Sequence, residues 1–283
     1  MKTTKILTVF LATMFLTVAI FTSSCKKDKG DPPTLPPSSS FVMDFNDFKQ
    51  NKSLLAVQDS TTDTTLRYNF NKAVIQVGIW NTMLTIGLAV PVAAFMESFK
   101  HQPELNDDDW WVWSYSVTVG FKTYTASLQG KVDGQKVYWE MYLSQSGGFS
   151  DFKWFTGSSD LNGTNGQWIL YESPTVPTTL LQIDWNKNSA GTADIKYMNV
   201  APSTSTHGNE NGGYIMYGIN NNTPFNTFYR IFYKSWNNQI DINWNRTTKE
   251  GQIKNSLANT HFLFFNDTDF HCWNSTGYNT TCQ

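Results

Sequence analysis

The sequence predicts a mainly β protein: an antiparallel meander curled into a barrel or half-barrel, with one long apolar N-terminal helix buried in or against it. Three observations carry that expectation. Aromatic residues make up 15% of the chain, with 11 Trp and 12 Tyr, while only 16% of residues are charged; bulky rings suit the pleated, half-buried surface of a sheet. From Trp110 onward apolar and polar residues alternate with period two in one run after another, the pattern of an antiparallel sheet packed on one side. One run, AVIQVGIWNTMLTIGLAVPVAAF at 73–95, is apolar on nearly every side. Such a helix must be enclosed, and a curved sheet with an apolar inner face is a natural enclosure.

Residues 1–24 carry Lys2 and Lys5 and then an apolar core from Ile6 to Phe21. A charged start and a short apolar run form an export signal, and this one is too short and Thr-rich for a good membrane span. Cys25 follows Thr22-Ser23-Ser24 and precedes Lys26-Lys27-Asp28. The arrangement resembles the lipobox of bacterial lipoproteins, in the looser form of Bacteroidota-type members, with Thr22 where Leu is usual. The resemblance implies cleavage before Cys25 and acylation of its sulfur and new amino terminus. The protein would then be held on a membrane at the periplasmic or outer cell surface by its acyl chains, each buried methylene contributing about 0.8 kcal/mol. An ordinary secretory signal with an incidental cysteine is the alternative. Residues 25–40 (KKDKGDPPTLPPSSS after the cysteine) offer almost nothing to bury and read as an extended, disordered tether.

Residues 41–109 read as a helical lead-in. FVMDFNDF (41–48) is a short helix or strand that packs Phe41, Phe45 and Phe48 onto the body. DSTTDTT (59–65) is too polar to bury; its Asp59-Ser60-Thr61 and Asp63-Thr64-Thr65 resemble sites glycosylated in exported proteins of that bacterial group, although a plain loop accounts for them too. The buried helix covers about residues 73–99. Its length permits a membrane span, but Gln76 and Asn81 within it and Pro91 near its end favour burial.

Residues 110–283 read as the antiparallel, barrel-like domain. In WWVWSYSVTV, Trp113, Tyr115, Val117 and Val119 alternate with Ser114, Ser116 and Thr118; in KVYWEMYL, Val137, Trp139, Met141 and Leu143 share a face; LLQIDWNK places Leu181, Ile183 and Trp185 together, and QIDINWNR Ile240, Ile242 and Trp244. Gly-, Asn- and Ser-rich clusters separate the runs and supply turns. Residues 183–196 and 242–254 look like copies of one hairpin, and 138–153 is a looser third. The Trp139–Trp185–Trp244 spacings are unequal, so no strict propeller or solenoid is implied. Roughly ten to thirteen strands of this kind must hide one apolar face and manage their edges, which curling into a barrel achieves.

With Cys25 acylated, Cys272 and Cys282 are the remaining cysteines. In an oxidising compartment a disulfide is their natural state, contributing about 3 kcal/mol by loop entropy. A metal pair with His271 is the alternative. Lys2 and Lys5 leave with the signal, so 19 of the 21 basic residues face 23 acidic ones, a mild acidity that speaks against nucleic acid as a partner.

No catalytic motif stands out. The four histidines lack ligand spacing, and there is no nucleophile elbow or phosphate-binding glycine loop. Asp107-Asp108-Asp109 is dense enough to suggest Ca2+ but lacks loop spacing and reads as a solvated turn. Glu140 and Glu172 sit in strands among aromatics, as glycosidase carboxylates do, and also as ordinary polar-face residues do. The reading is therefore non-enzymatic, with no cofactor or metal. Trp139, Trp185, Trp244, Tyr217 and Tyr229 are the candidate ligand-binding residues, for rings on a curved sheet can line an apolar pocket or grip sugars; core filling is the plainer role for most of the Trp. Tyr214, Tyr217, Tyr229 and Tyr233 put aromatics on more than one face. The first expectation is an exported, lipid-anchored lipoprotein whose barrel-like body holds a lipid or other apolar ligand. In outline it resembles carriers of the lipocalin or lipoprotein-localisation type, with no motif of either. A cell-surface glycan-binding lipoprotein and a purely structural or interaction module are the alternatives.

Overall fold

The computed structural model describes residues 30–45, 66–187 and 193–282. The chain divides into two compact units, Met1–Pro32 and Pro33–Gln283. Of the first, Gly30–Pro32 are described and have no regular structure. The signal, Cys25, Phe48 and the 59–65 loop lie outside the described residues.

In the second unit the alternating runs form strands, and every consecutive pair is an antiparallel hairpin. Fourteen strands make one sheet in strict sequence order: β1 (Glu104–Leu105), β2 (Trp111–Val119), β3 (Lys122–Asp133), β4 (Lys136–Gln145), β5 (Phe149–Asp160), β6 (Asn165–Ser173), β7 (Val176–Lys187), β8 (Ala193–Asn199), β9 (Tyr214–Ile219), β10 (Thr227–Tyr233), β11 (Asn238–Trp244), β12 (Gly251–Asn255), β13 (His271–Trp273) and β14 (Asn279–Thr280). The resembling segments noted above are the hairpins β4–β5, β7–β8 and β11–β12. The tightest connections are two residues long. Gly120 and Gly134 open the β2–β3 and β3–β4 turns at φ of 60°, the conformation such primed turns demand.

The sheet is not closed into a barrel. β1 pairs with β2 alone and β14 with β13 alone, each edge only two residues long. Short edges offer little backbone for another chain to pair with. Bulges in β4–β5 and β6–β7 increase the local bend.

Among the described residues the apolar run lies in two α-helices rather than one, α1 (Tyr68–Gly87) and α2 (Ala89–Ser98), bent by 67° at Leu88. Pro91 lies in the first turn of α2, where its missing N–H costs nothing. α2 packs on β2 and β3, and α1 on β12, β13 and β14. Residues 69 and 94 can stand no more than about 38 Å apart along a straight helix, whereas β2 and β13 of a flat sheet would lie roughly 53 Å apart. The sheet therefore curves until both of its ends reach one bent helical pair.

The helical pair is not enclosed on all sides, as its composition suggested. Phe70, Ala73, Val77, Leu84, Leu88, Ala94 and Phe95 are buried, but Ile75, Met83 and Ile86 are 48%, 51% and 75% exposed. The tether also ends earlier than expected. Pro36 and Ser40 are buried, Leu35 packs against the core, and the Trp168 indole N–H donates to Ser40 Oγ at 3.2 Å. Phe41–Phe45 is an irregular arm rather than a helix or strand. Phe41 stacks among Phe95, Phe155 and Trp168, and Phe45 lies on Tyr229.

Along the inner face five large indoles face a glycine of a neighbouring strand. Gly130 faces Trp139, Trp139 faces Gly157, and Gly157 faces Trp168. Gly166 faces Trp185, and Gly251 lies between Trp244 and Trp273. A β-carbon on Gly157 would come within 2.2 Å of the Trp168 ring, and one on Gly251 within 2.2 Å of Trp273. The glycines thus leave room for the rings at the crowded side of the curve.

Gly157→Ala and Gly251→Ala should each lower stability by about 1–3 kcal/mol through overpacking. Gly78→Ala, in open space within α1, should raise it by up to about 1 kcal/mol. Urea unfolding midpoints at constant slope would show both.

Candidate functional site: the helical elbow and its cleft

The lead-in is bound to the sheet by tyrosine hydroxyls from the inner face. Tyr115 on β2 donates to the Ala94 carbonyl of α2 at 2.6 Å. Tyr197 on β8 donates to the Phe41 carbonyl at 2.8 Å and accepts the Met43 N–H at 2.9 Å. Tyr229 on β10 donates to the Asp44 carbonyl. Tyr233, also on β10, donates to Gln76 Oε1 of α1 at 2.6 Å. Each phenol bonds a backbone or amide group of the lead-in, so its own hydroxyl is paired where it is buried.

A polar row on α1 completes the attachment. The Asn69 amide donates to the Cys272 carbonyl at 2.9 Å, and its backbone N–H to Asn279 Oδ1 at 3.0 Å. Lys72 Nζ donates to the carbonyls of Phe262, at 2.9 Å, and Phe264, and lies over the rings of Tyr68 and Phe265. Gln76 Nε2 donates to the Leu263 carbonyl. The spacing 69, 72, 76 puts all three on one helical flank. The loop they grip is fixed from below by Asn238 and Asn255, both buried, which bond to Leu257, Phe265 and Asp267. Cys272 and Cys282 are disulfide-bonded with Cα atoms 5.3 Å apart, so the pairing read from the sequence holds, and a metal pair with His271 does not.

Between the arm and the elbow of the helices lies an apolar cleft of about 250 Å³. Phe41, Val42, Met43 and Phe45 form one wall and Leu84, Leu88, Ala89 and Val92 the other, with Asn81, Thr85 and Tyr197 at its margins. The spacing 81, 84, 85, 88, 92 places the helical residues on one face. The helical pair therefore presents three flanks: one to the core, one to the cleft, and one outward.

The candidate ligand-binding residues from the sequence stand elsewhere. Trp139, Trp185, Trp244, Tyr217 and Tyr229 are all buried in the core, and none lines the cleft. The first three each face a glycine of a neighbouring strand. Of the four tyrosines that seemed to face both ways, Tyr217, Tyr229 and Tyr233 point inward, and only Tyr214 faces out. Three outer rings are covered: Lys153 lies over Tyr142, Lys196 over Tyr214 and Arg230 over Phe228. A sugar would need those ring faces free.

Glu140 and Glu172 have separate partners, Lys153 at 2.9 Å and His207 at 3.5 Å. The bonds from Tyr142 and then Glu140 hold the Lys153 ammonium above the ordinary lysine range. Asp107–Asp109 is an exposed turn. Among the described residues no three His, Cys, Asp or Glu side chains are grouped to hold a metal ion. Sequence reading missed the cleft because its wall combines two distant segments. The 84, 88, 92 spacing was visible, but its pairing with the 41–45 arm was not. No family model matches the chain, and neither a curated protein nor a solved structure matches it.

Burial pushes the phenols of Tyr115, Tyr197 and Tyr233 above the ordinary tyrosine value. Their folded pKa is raised, so the unfolded chain loses these protons first. Their stabilising contribution is complete below about pH 10 and declines as pH rises further. Denaturant titrations between pH 8 and roughly 11 should show stability falling from about pH 10, and Tyr197→Phe should lose about 1–3 kcal/mol at pH 7.

Proposed function

We propose that the chain is an exported, non-enzymatic lipoprotein, anchored by acyl groups on Cys25, whose curled, half-barrel body holds an apolar ligand between its N-terminal arm and its helices. The observation that carries this reading is the cleft of about 250 Å³ walled by Phe41, Met43, Leu84, Leu88 and Val92. Its size lies just below the roughly 300–1,000 Å³ of small-molecule sites, which suits an acyl chain or a small apolar group. Glu140 and Glu172 support the non-enzymatic part, since each has its own partner, Lys153 and His207, and the two do not act as a pair. The lysine- and proline-rich stretch after Cys25 supports the anchor by supplying a solvated spacer.

Labelled palmitate should enter the wild-type chain and be absent from the Cys25→Ser chain. A fluorescent naphthylamine probe should bind the purified protein, and Ala89→Trp, which fills the cleft from an exposed position, should weaken that binding about tenfold. Unlabelled wild-type protein would remove the anchor. Probe affinity indifferent to Ala89→Trp would remove the ligand site.

A further inference from the structure

Among the described residues, part of the outward flank of the helical pair is left exposed. Ile75, Met83 and Ile86 are about half or more exposed, whereas Ile79 and Val90 are partly buried against the core. The most exposed of them, Ile86, stands at the bend. Phe262, 71% exposed, lies near the first turns of α1, since its carbonyl takes the Lys72 ammonium.

Three further facts say what the flank faces. No charged residue occurs from Ala73 to Met96, so nothing on this stretch of the two helices opposes contact with hydrocarbon. The exposed hydroxyls beside the stripe are satisfied inside the helix. Thr82 Oγ1 donates to the Gly78 carbonyl at 2.9 Å, and Thr85 Oγ1 to Asn81 Oδ1 at 3.2 Å. That arrangement suits hydrocarbon, where an unsatisfied donor costs several kcal/mol. No single helix among the described residues is long and apolar enough to cross a membrane, but the bent pair passes the length and composition test together. Its inner flank is committed to the sheet by Gln76 and Tyr233, which leaves the outer flank alone to meet lipid.

We infer that the elbow of α1 and α2 lies in the surface of a phospholipid bilayer, with Ile75, Met83 and Ile86 among the upper acyl chains. The inference deepens the anchored-lipoprotein reading and rests on it for the nearness of the membrane. The body is then docked on the bilayer by the elbow as well as tethered to it.

The test uses the full chain with a nitrobenzoxadiazole label at Ile86→Cys, or at Tyr138→Cys on the exposed outer face of the sheet. Vesicles of phosphatidylethanolamine with a minority of phosphatidylglycerol, containing brominated lipid, are the target. The label at 86 should shift to the blue and be quenched by brominated lipid, and the label at 138 should not. In the Cys25→Ser background vesicle binding should persist weakly, and Met83→Glu with Ile86→Glu should reduce it at least about tenfold. If palmitate is absent from Cys25 yet the label at 86 is quenched, the anchor fails and the elbow stands. If acylated protein is held on vesicles while the label at 86 stays aqueous, the elbow is overturned and the anchor stands. A blue shift at 86 that needs no vesicles and grows with protein concentration would assign the flank to a second copy, and would also overturn the inference.

Discussion

The fold depends on hydroxyl groups placed where a core is normally dry. Tyr115, Tyr197, Tyr229 and Tyr233 rise from the concave face and bond the arm, α1 and α2. A sheet with one apolar face needs a cover, and a cover of backbone and helix brings polar groups that must be paired once buried. Phenols meet both needs, because the ring adds apolar area and the hydroxyl bonds a polar group of the cover.

That attachment explains why the sheet can stay open. A long meander has two edges, and joining them by hydrogen bonds is one way to remove the problem. Here α2 rests on the first long strands and α1 on the last ones, so the bent helical pair joins the ends instead. The indole-over-glycine pairs supply the curvature that brings the ends within reach. The disulfide between Cys272 and Cys282 and the Asn238–Asn255 bonds secure the short last strands, where few residues remain to form a ladder. The cost of the arrangement falls on the outer flank of α1, which no strand covers.

Much of this was legible in the sequence. Period two identified the long strands, because each has one buried face, and the Cys272–Cys282 pair followed from compartment and count. The limits are equally physical. Period two says which residues turn inward but not whether a ring fills a core or lines a pocket, so Trp139, Trp185 and Trp244 read as possible binders although their partners are glycines one strand away. Uniform apolarity at 73–95 implied enclosure on every side, yet the same composition also serves a helix with one flank on a sheet and one facing outward. The Pro-, Ser- and Lys-rich tether hid Leu35, Pro36 and Ser40, whose burial depends on Trp168, more than a hundred residues away. The cleft was illegible because local pattern carries no information about which arm meets which helix.

The central claim is that a bent helical pair, held by buried phenols, draws the two ends of an open sheet together. Electron–electron resonance between spin labels at Ser116 on β2 and Thr276 beside β14 measures this directly. The account predicts a separation within about 40 Å, the reach of the helical pair, which widens when Tyr115 and Tyr233 are both changed to Phe. A separation near the roughly 58 Å of twelve flat strand spacings, unchanged in that double variant, would contradict it.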